Sequence, residues 1–294
     1  MRRVIALLAL VGLIALGGWV WLTRPVPLEE DALAGLEGDA ARGEAVFWAA
    51  GCASCHAAPE TEDEERLVLA GGQRFESPFG TFVAPNISPD PEHGIGAWDF
   101  EAFANAMLRG ISPEGQHYFP AFPYTAYLRA DPQDVADLWA YWQDLPHSEA
   151  PDAPHEIGFP FNIRRNLGVW KQLYMDDGWA VAGDLTEQET RGRYLAEALA
   201  HCGECHTPRD ALGGLDRTRW LAGAPNPAGD GRIPDIRPGT LGWSQSEIAG
   251  YLQSGFTPEF DVAGGSMANV VRSLSQLPRE DLDAIAAYLL RVEG

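Results

Sequence analysis

Nineteen uncharged residues, Val4 to Leu22, run without a break behind Arg2 and Arg3, and the run closes on Trp19 and Trp21. A stretch of that length spans the apolar core of a bilayer as a helix. Beyond it the apolar residues are no longer continuous and recur instead at helical spacing. Phe100, Phe103 and Met107 follow Asp99, and Ile248 and Leu252 follow Ser244. Asp99 and Ser244 are suited to cap those helices, and Ser244 with Glu247 forms a capping box. Another helix is expected from Asp131-Pro132 through Val135, Leu138, Trp139 and Trp142, and a last one through Leu282, Ile285, Ala286 and Leu289. No run of alternating apolar and polar residues announces a strand, so the expected class is all-α.

The order of these elements repeats. An offset near 150 brings Arg42-Gly43 onto Arg191-Gly192 and Cys52–His56 onto Cys202–His206; slightly smaller offsets bring Pro85-Asn86-Ile87-Ser88-Pro89 onto Pro234-Asp235-Ile236-Arg237-Pro238 and Arg109-Gly110 onto Ser254-Gly255. This is a duplicated module. The pattern divides the chain into a membrane helix over 1–24, a Pro- and acid-containing tether over 25–38, a first domain over 39–147, a connector over 148–187 and a second domain over 188–294. The connector is too long and aromatic for a free linker, and its Phe159–Arg165 segment is expected to pack against one or both domains.

The chain has four cysteines, and all of them fall in two C-x-x-C-H sequences, Cys52-Ala53-Ser54-Cys55-His56 and Cys202-Gly203-Glu204-Cys205-His206. That spacing attaches a c-type haem: two thiols one turn apart add to the two vinyl groups of one porphyrin, and the adjoining histidine reaches the iron from the same side. Two local disulfides, or one zinc held by four thiolates, would leave both histidines without a role. The expected cofactors are therefore two covalently bound haem c groups, with thioethers from Cys52, Cys55, Cys202 and Cys205 and axial ligands from His56 and His206.

Charge narrows the partners. With 21 basic against 42 acidic residues the formal charge is −21, which argues against nucleic acid and favours a basic protein surface as docking target. Arg2 and Arg3 should stay cytoplasmic, so the remainder is expected outside, in the bacterial periplasm, with the N-terminal helix as a single-pass inner-membrane anchor. A cleaved signal peptide is the competing reading, but the run is longer than a usual signal core and no small-x-small site follows it.

Three stretches, Cys202–Arg209, Pro85–Asp90 and Gly264–Val271, resemble the multihaem cytochrome c subunits of membrane-bound alcohol, aldehyde and gluconate dehydrogenases. Those subunits usually carry three haems, whereas this chain has motifs for two. The resemblance implies two tandem cytochrome c domains, each wrapped on one haem. It also implies single-electron transfer from a periplasmic dehydrogenase or quinol-oxidising complex to a soluble cytochrome or terminal oxidase. It places Met267, 61 residues after His206, where the family binds iron. In the first half the family's Pro-Ala-Met-Pro-Tyr reads Pro120-Ala121-Phe122-Pro123-Tyr124, and a phenyl ring cannot bind iron. His117 on the same loop is then the expected sixth ligand, with Met107 a core position that could substitute. An open iron under Phe122 is the third possibility, and it would make the protein a haem enzyme or sensor, peroxidase-like or thiosulfate dehydrogenase-like, with chemistry at the first haem.

Overall fold

A computed structural model describes residues 1–293. Helix α1, Arg2–Leu22, buries no residue, and its 21 residues reach about 31 Å, long and apolar enough to cross a membrane. Its end is fastened. Thr23 is fully buried, and its hydroxyl donates to Trp19 O at 2.7 Å while accepting from Arg165 Nε at 3.0 Å. Arg165 Nη2 donates to Val20 O at 3.0 Å, and its guanidinium lies over the Trp19 ring. A Cβ on Gly168 would come within 2.5 Å of Thr23 Cα, so only glycine admits this approach.

The segment expected as a tether is laid along the first half. Leu28 N donates to Asn105 Oδ1 at 2.8 Å, Gln133 Nε2 donates to Glu37 O at 2.8 Å, and Leu28 and Leu33 pack on the core. Leu28, Leu33 and Leu36 are half-buried while most of the segment stays exposed, so a few apolar side chains hold it against the first half.

In the first half, α2 (Ala40–Ala49, capped by Asp39) leads into α3 (Cys52–His56). Helix α4 (Phe100–Arg109) starts at the Asp99 cap and stops at Gly110, whose φ of 60° is glycine's region. Helix α5 is Pro132–Trp142, with proline at its first position. The connector carries α6 (Leu167–Tyr174). The second half then supplies α7 (Glu187–Arg193), α8 (Gly203–His206), α9 (Gln245–Ser254), α10 (Ser266–Leu274) and α11 (Arg279–Leu289). The capping box at Ser244 forms as expected.

The repeated Arg-Gly pair is a helix crossing. A Cβ on Gly43 would lie 2.0 Å from Asp137 O of α5, and one on Gly192 would lie 1.8 Å from Ala284 O of α11. The neighbouring arginines fork onto carboxylates of the crossed helix: Arg42 to Asp137 at 2.6 and 2.8 Å, Arg191 to Asp281 at 2.8 and 2.9 Å.

Two small sheets depart from the all-α expectation. Strands β1 (Arg74–Ser77), β2 (Gly80–Val83) and β3 (Glu156–Ile157) form an antiparallel sheet in the order β1-β2-β3, with Thr81 opposite Glu156; β4 (Ala224–Pro225) pairs with β5 (Arg232–Ile233). Strands of two to four residues are too short to show a period of two in sequence. The fold is helix-rich, and one contiguous core runs from Val46 in α2 to Val292 beyond α11.

The connector packs through part of the expected Phe159–Arg165 segment, with Phe161 edge-on to Phe79, Arg164 over Phe119 and Arg165 on the end of α1, and through residues beyond it. Phe159 is 81% and Phe161 48% exposed; Arg165 and Gly168 hold the anchor, and Lys171 Nζ donates to Arg109 O at 2.5 Å and Gly110 O at 2.8 Å, closing the C-terminus of α4.

Candidate cofactor cavity

All four cysteines face one cavity of ≈ 2040 Å³, and so do His56 and His206. Its volume is about twice the upper end for a site holding one small ligand. No two of the thiols are joined to each other. Burial, with the neighbouring Cys55 adding to it, pushes the Cys52 thiol up to about 12, and burial, with Cys205 adding to it, does the same for Cys55. Helix α3 spans the whole first motif, and α8 carries the second with Cys202 at its N-cap, so each pair of thiols stands about one turn apart.

Both histidines are oriented by backbone. His56 Nδ1 lies 2.9 Å from Pro85 O and His206 Nδ1 lies 2.8 Å from Pro234 O. A carbonyl can only accept, so Nδ1 carries the hydrogen and Nε2 keeps its lone pair. Burial lowers both imidazoles, His56 to about 4, so each is neutral and able to ligate. The same backbone contact recurs at matching places in the two halves. Thiol pairs, neutral imidazoles and an apolar surround fit a covalently held haem in each half.

The far side of each site is built on the loop after α4 or α9. Tyr118 N donates to Gly110 O at 2.8 Å, and Ala263 N donates to Gly255 O at 2.8 Å. Four residues beyond each bond stand Phe122 and Met267, so the backbone places them as equivalents. Both line the cavity.

His117 is not where a ligand must be. It is buried but absent from the cavity lining, and its Nε2 donates to Thr23 O at 2.9 Å. Its counterpart by the same register is Val262. Met107 does line the cavity, from α4. His201 and Arg209, which flank the second motif, also line it; the His201 ring is 5.7 Å from that of Tyr127, and Arg209 donates to Gly213 O and pairs with Glu204 at 2.5 Å.

Each motif is bonded to the opposite half of the chain. Ser54 Oγ, inside the first, donates to Asn269 O at 3.0 Å, and Thr125 Oγ1 donates to Glu204 Oε1, inside the second, at 2.8 Å. Tyr127, between them, donates to Ala50 O at 2.8 Å. No sequence pattern announces Ser54, Tyr127 or the buried Arg66 as members of this site.

Residues 40–146 match the family model described as Cytochrome c. Over 291 residues the chain is 59% identical to a protein of Cereibacter sphaeroides described as "Diheme cytochrome c-type", covering 99% of this chain and 98% of that one. The chain belongs to the cytochrome c family. This cytochrome is also 37% identical to the fructose dehydrogenase cytochrome subunit of Gluconobacter japonicus over 92% of its own length, and 34% identical to the cytochrome c subunit of the quinone alcohol dehydrogenase of Gluconobacter oxydans over 84%. It spans 56% and 53% of those two relatives. Its kinship makes it a haem protein of electron transport.

Proposed function

We propose that this cytochrome is a membrane-anchored, periplasmic dihaem carrier that passes single electrons from a dehydrogenase or quinol-oxidising complex to a soluble cytochrome or terminal oxidase. One observation carries the reading: two complete attachment sequences line one cavity and touch each other's surroundings. Cys52 and Cys55 hold one haem and Cys202 and Cys205 the other, in tandem domains over 39–147 and 188–294. His56 and His206 bind iron through Nε2, and Met267 ligates the second iron. Bound in this way, each haem supplies a one-electron couple; Met267 raises the potential of its own. The chain excludes water, fixes the two sites against each other, and requires no acid or base. The dehydrogenase subunits among its relatives support a dehydrogenase as donor.

The buried Thr23 supports retention of α1 as a single-pass inner-membrane anchor, because removal of the helix would leave Arg165 and His117 without their partners. For the first iron, His117 is withdrawn as ligand and Met107 takes its place. Phe122 over that site favours a second reading, in which the first haem is open and does chemistry. Carbon monoxide separates the two. A carrier with Met107 ligated is expected to be wholly low-spin and inert to the gas; rapid binding to half the ferrous haem would establish the enzyme or sensor instead.

A further inference from the structure

Helix α10 carries Met267 in its first turn, yet the start of that helix is poorly fastened. Its N-cap, Gly265, has a φ of 55° and makes no side-chain cap bond, and the loop before it is exposed at Phe260 and Val262. The polar grip on α10 comes from the other half of the chain. Asn269 O accepts from Ser54 Oγ at 3.0 Å and from Arg66 Nη2 at 3.3 Å. Ser273 Oγ, fully buried, lies 2.9 Å from Ser54 Oγ and accepts from Arg66 Nη2 at 3.2 Å.

Arg66 is the unusual member. It is only 5% exposed, and among the described residues no carboxylate pairs with it. A buried guanidinium without an anion is costly, and both hydrogen bonds it makes are to α10. The second half shows the same device. Glu204 occupies the place in its motif that Ser54 occupies in the first, and it accepts from Thr125, three residues past Phe122. Each attachment sequence therefore grips the segment that forms the far wall of the opposite site.

We propose that Ser54 and Arg66 are positioning residues for Met267: the first attachment sequence and the buried arginine behind it hold the methionine ligand of the second haem in place. The proposal rests on Met267 being that ligand. A first half that shifts or loosens transmits the change directly to the other iron, through two side chains and one helix.

The test uses the full-length holoprotein in detergent. Imidazole added to the ferric protein binds the second iron only when methionine has left, so its apparent affinity reports how firmly the ligand is held. Ser54→Ala and Arg66→Gln are each expected to raise that affinity about ten-fold, the scale of losing one or two buried hydrogen bonds, and to weaken the methionine-to-iron charge-transfer band. Ser54→Thr, which keeps the hydroxyl, is expected to stay within about two-fold of wild type. Ser273→Ala, outside the attachment sequence, repeats the measurement should Ser54→Ala fail to acquire haem. Met267→Leu is the control. Loss of the band in Met267→Leu together with wild-type imidazole affinity in the Ser54, Arg66 and Ser273 variants overturns the positioning role; a band that survives in Met267→Leu overturns the ligand assignment itself.

Discussion

Asp235 shows how a single residue supports the site. It stands next to Pro234, whose carbonyl orients His206, and it receives Arg237 Nη2 at 2.6 Å, Arg237 N at 2.9 Å and Thr240 Oγ1 at 3.1 Å. The hydrogen bonds from Arg237 hold its carboxyl down to about 2. A carboxylate whose folded pKa is depressed contributes its stability above the unfolded value of about 3.9, and that contribution is lost as pH falls toward the folded value. Arg237→Ala should therefore bring Asp235 back toward the ordinary range and move acid unfolding of the protein to higher pH, followed by far-ultraviolet circular dichroism. At this scale much was legible from the chain alone: the thiols, the two histidines and the exchange of Met267 for Phe122 follow from spacing and register. His117 was not, because whether a histidine faces iron or the end of a distant helix depends on a contact 94 residues away.

At the scale of the element, the duplication of Arg-Gly acquires a physical meaning. Glycine lets α2 meet α5, and α7 meet α11, with a backbone carbonyl where a Cβ would be, and the arginine beside it fixes the register by forking onto Asp137 or Asp281. Alanine is the better helix former by about 1 kcal/mol, but a Cβ 2.0 Å or less from a carbonyl oxygen has nowhere to go. Gly43→Ala and Gly192→Ala are each expected to destabilise by about 1–3 kcal/mol, lowering the thermal midpoint by several degrees despite the gain in propensity; an unchanged midpoint in either would show that the helices separate freely. The helices themselves were readable because caps and 3.6-residue spacing are local signals. The hairpin of β1 and β2, and the third strand added from the connector, were not, since strands this short carry no period and their partners are up to 77 residues apart.

For the whole molecule, the connection between anchor and haem-bearing part matters most. A flexible tether would let the cysteine-bearing part move freely relative to α1; Thr23, clasped by Arg165, Gly168 and His117, and the docked Leu28 instead fix it at the end of that helix. Protein isolated from membranes is accordingly expected to retain its N-terminus through Thr23, with an intact mass equal to the uncleaved chain, with or without Met1, plus two haems. A mass starting at or after residue 25 would sink the anchor reading. Arg165→Ala should leave that mass unchanged and raise amide exchange in residues 19–28. None of this junction was visible in the sequence, because a threonine after a membrane helix and an arginine 142 residues later share no pattern.

Lys171 is the chain's one lysine, and it is buried with its amine against Arg109 O and Gly110 O. Beyond α1 the surface thus carries carboxylates and guanidinium groups but no reachable lysine amine. Amine-directed cross-linkers, dyes and sensor-chip coupling will pass this face over, so a complex with its donor or acceptor has to be trapped through the acidic side chains, and a negative result from lysine chemistry says nothing about whether the complex forms.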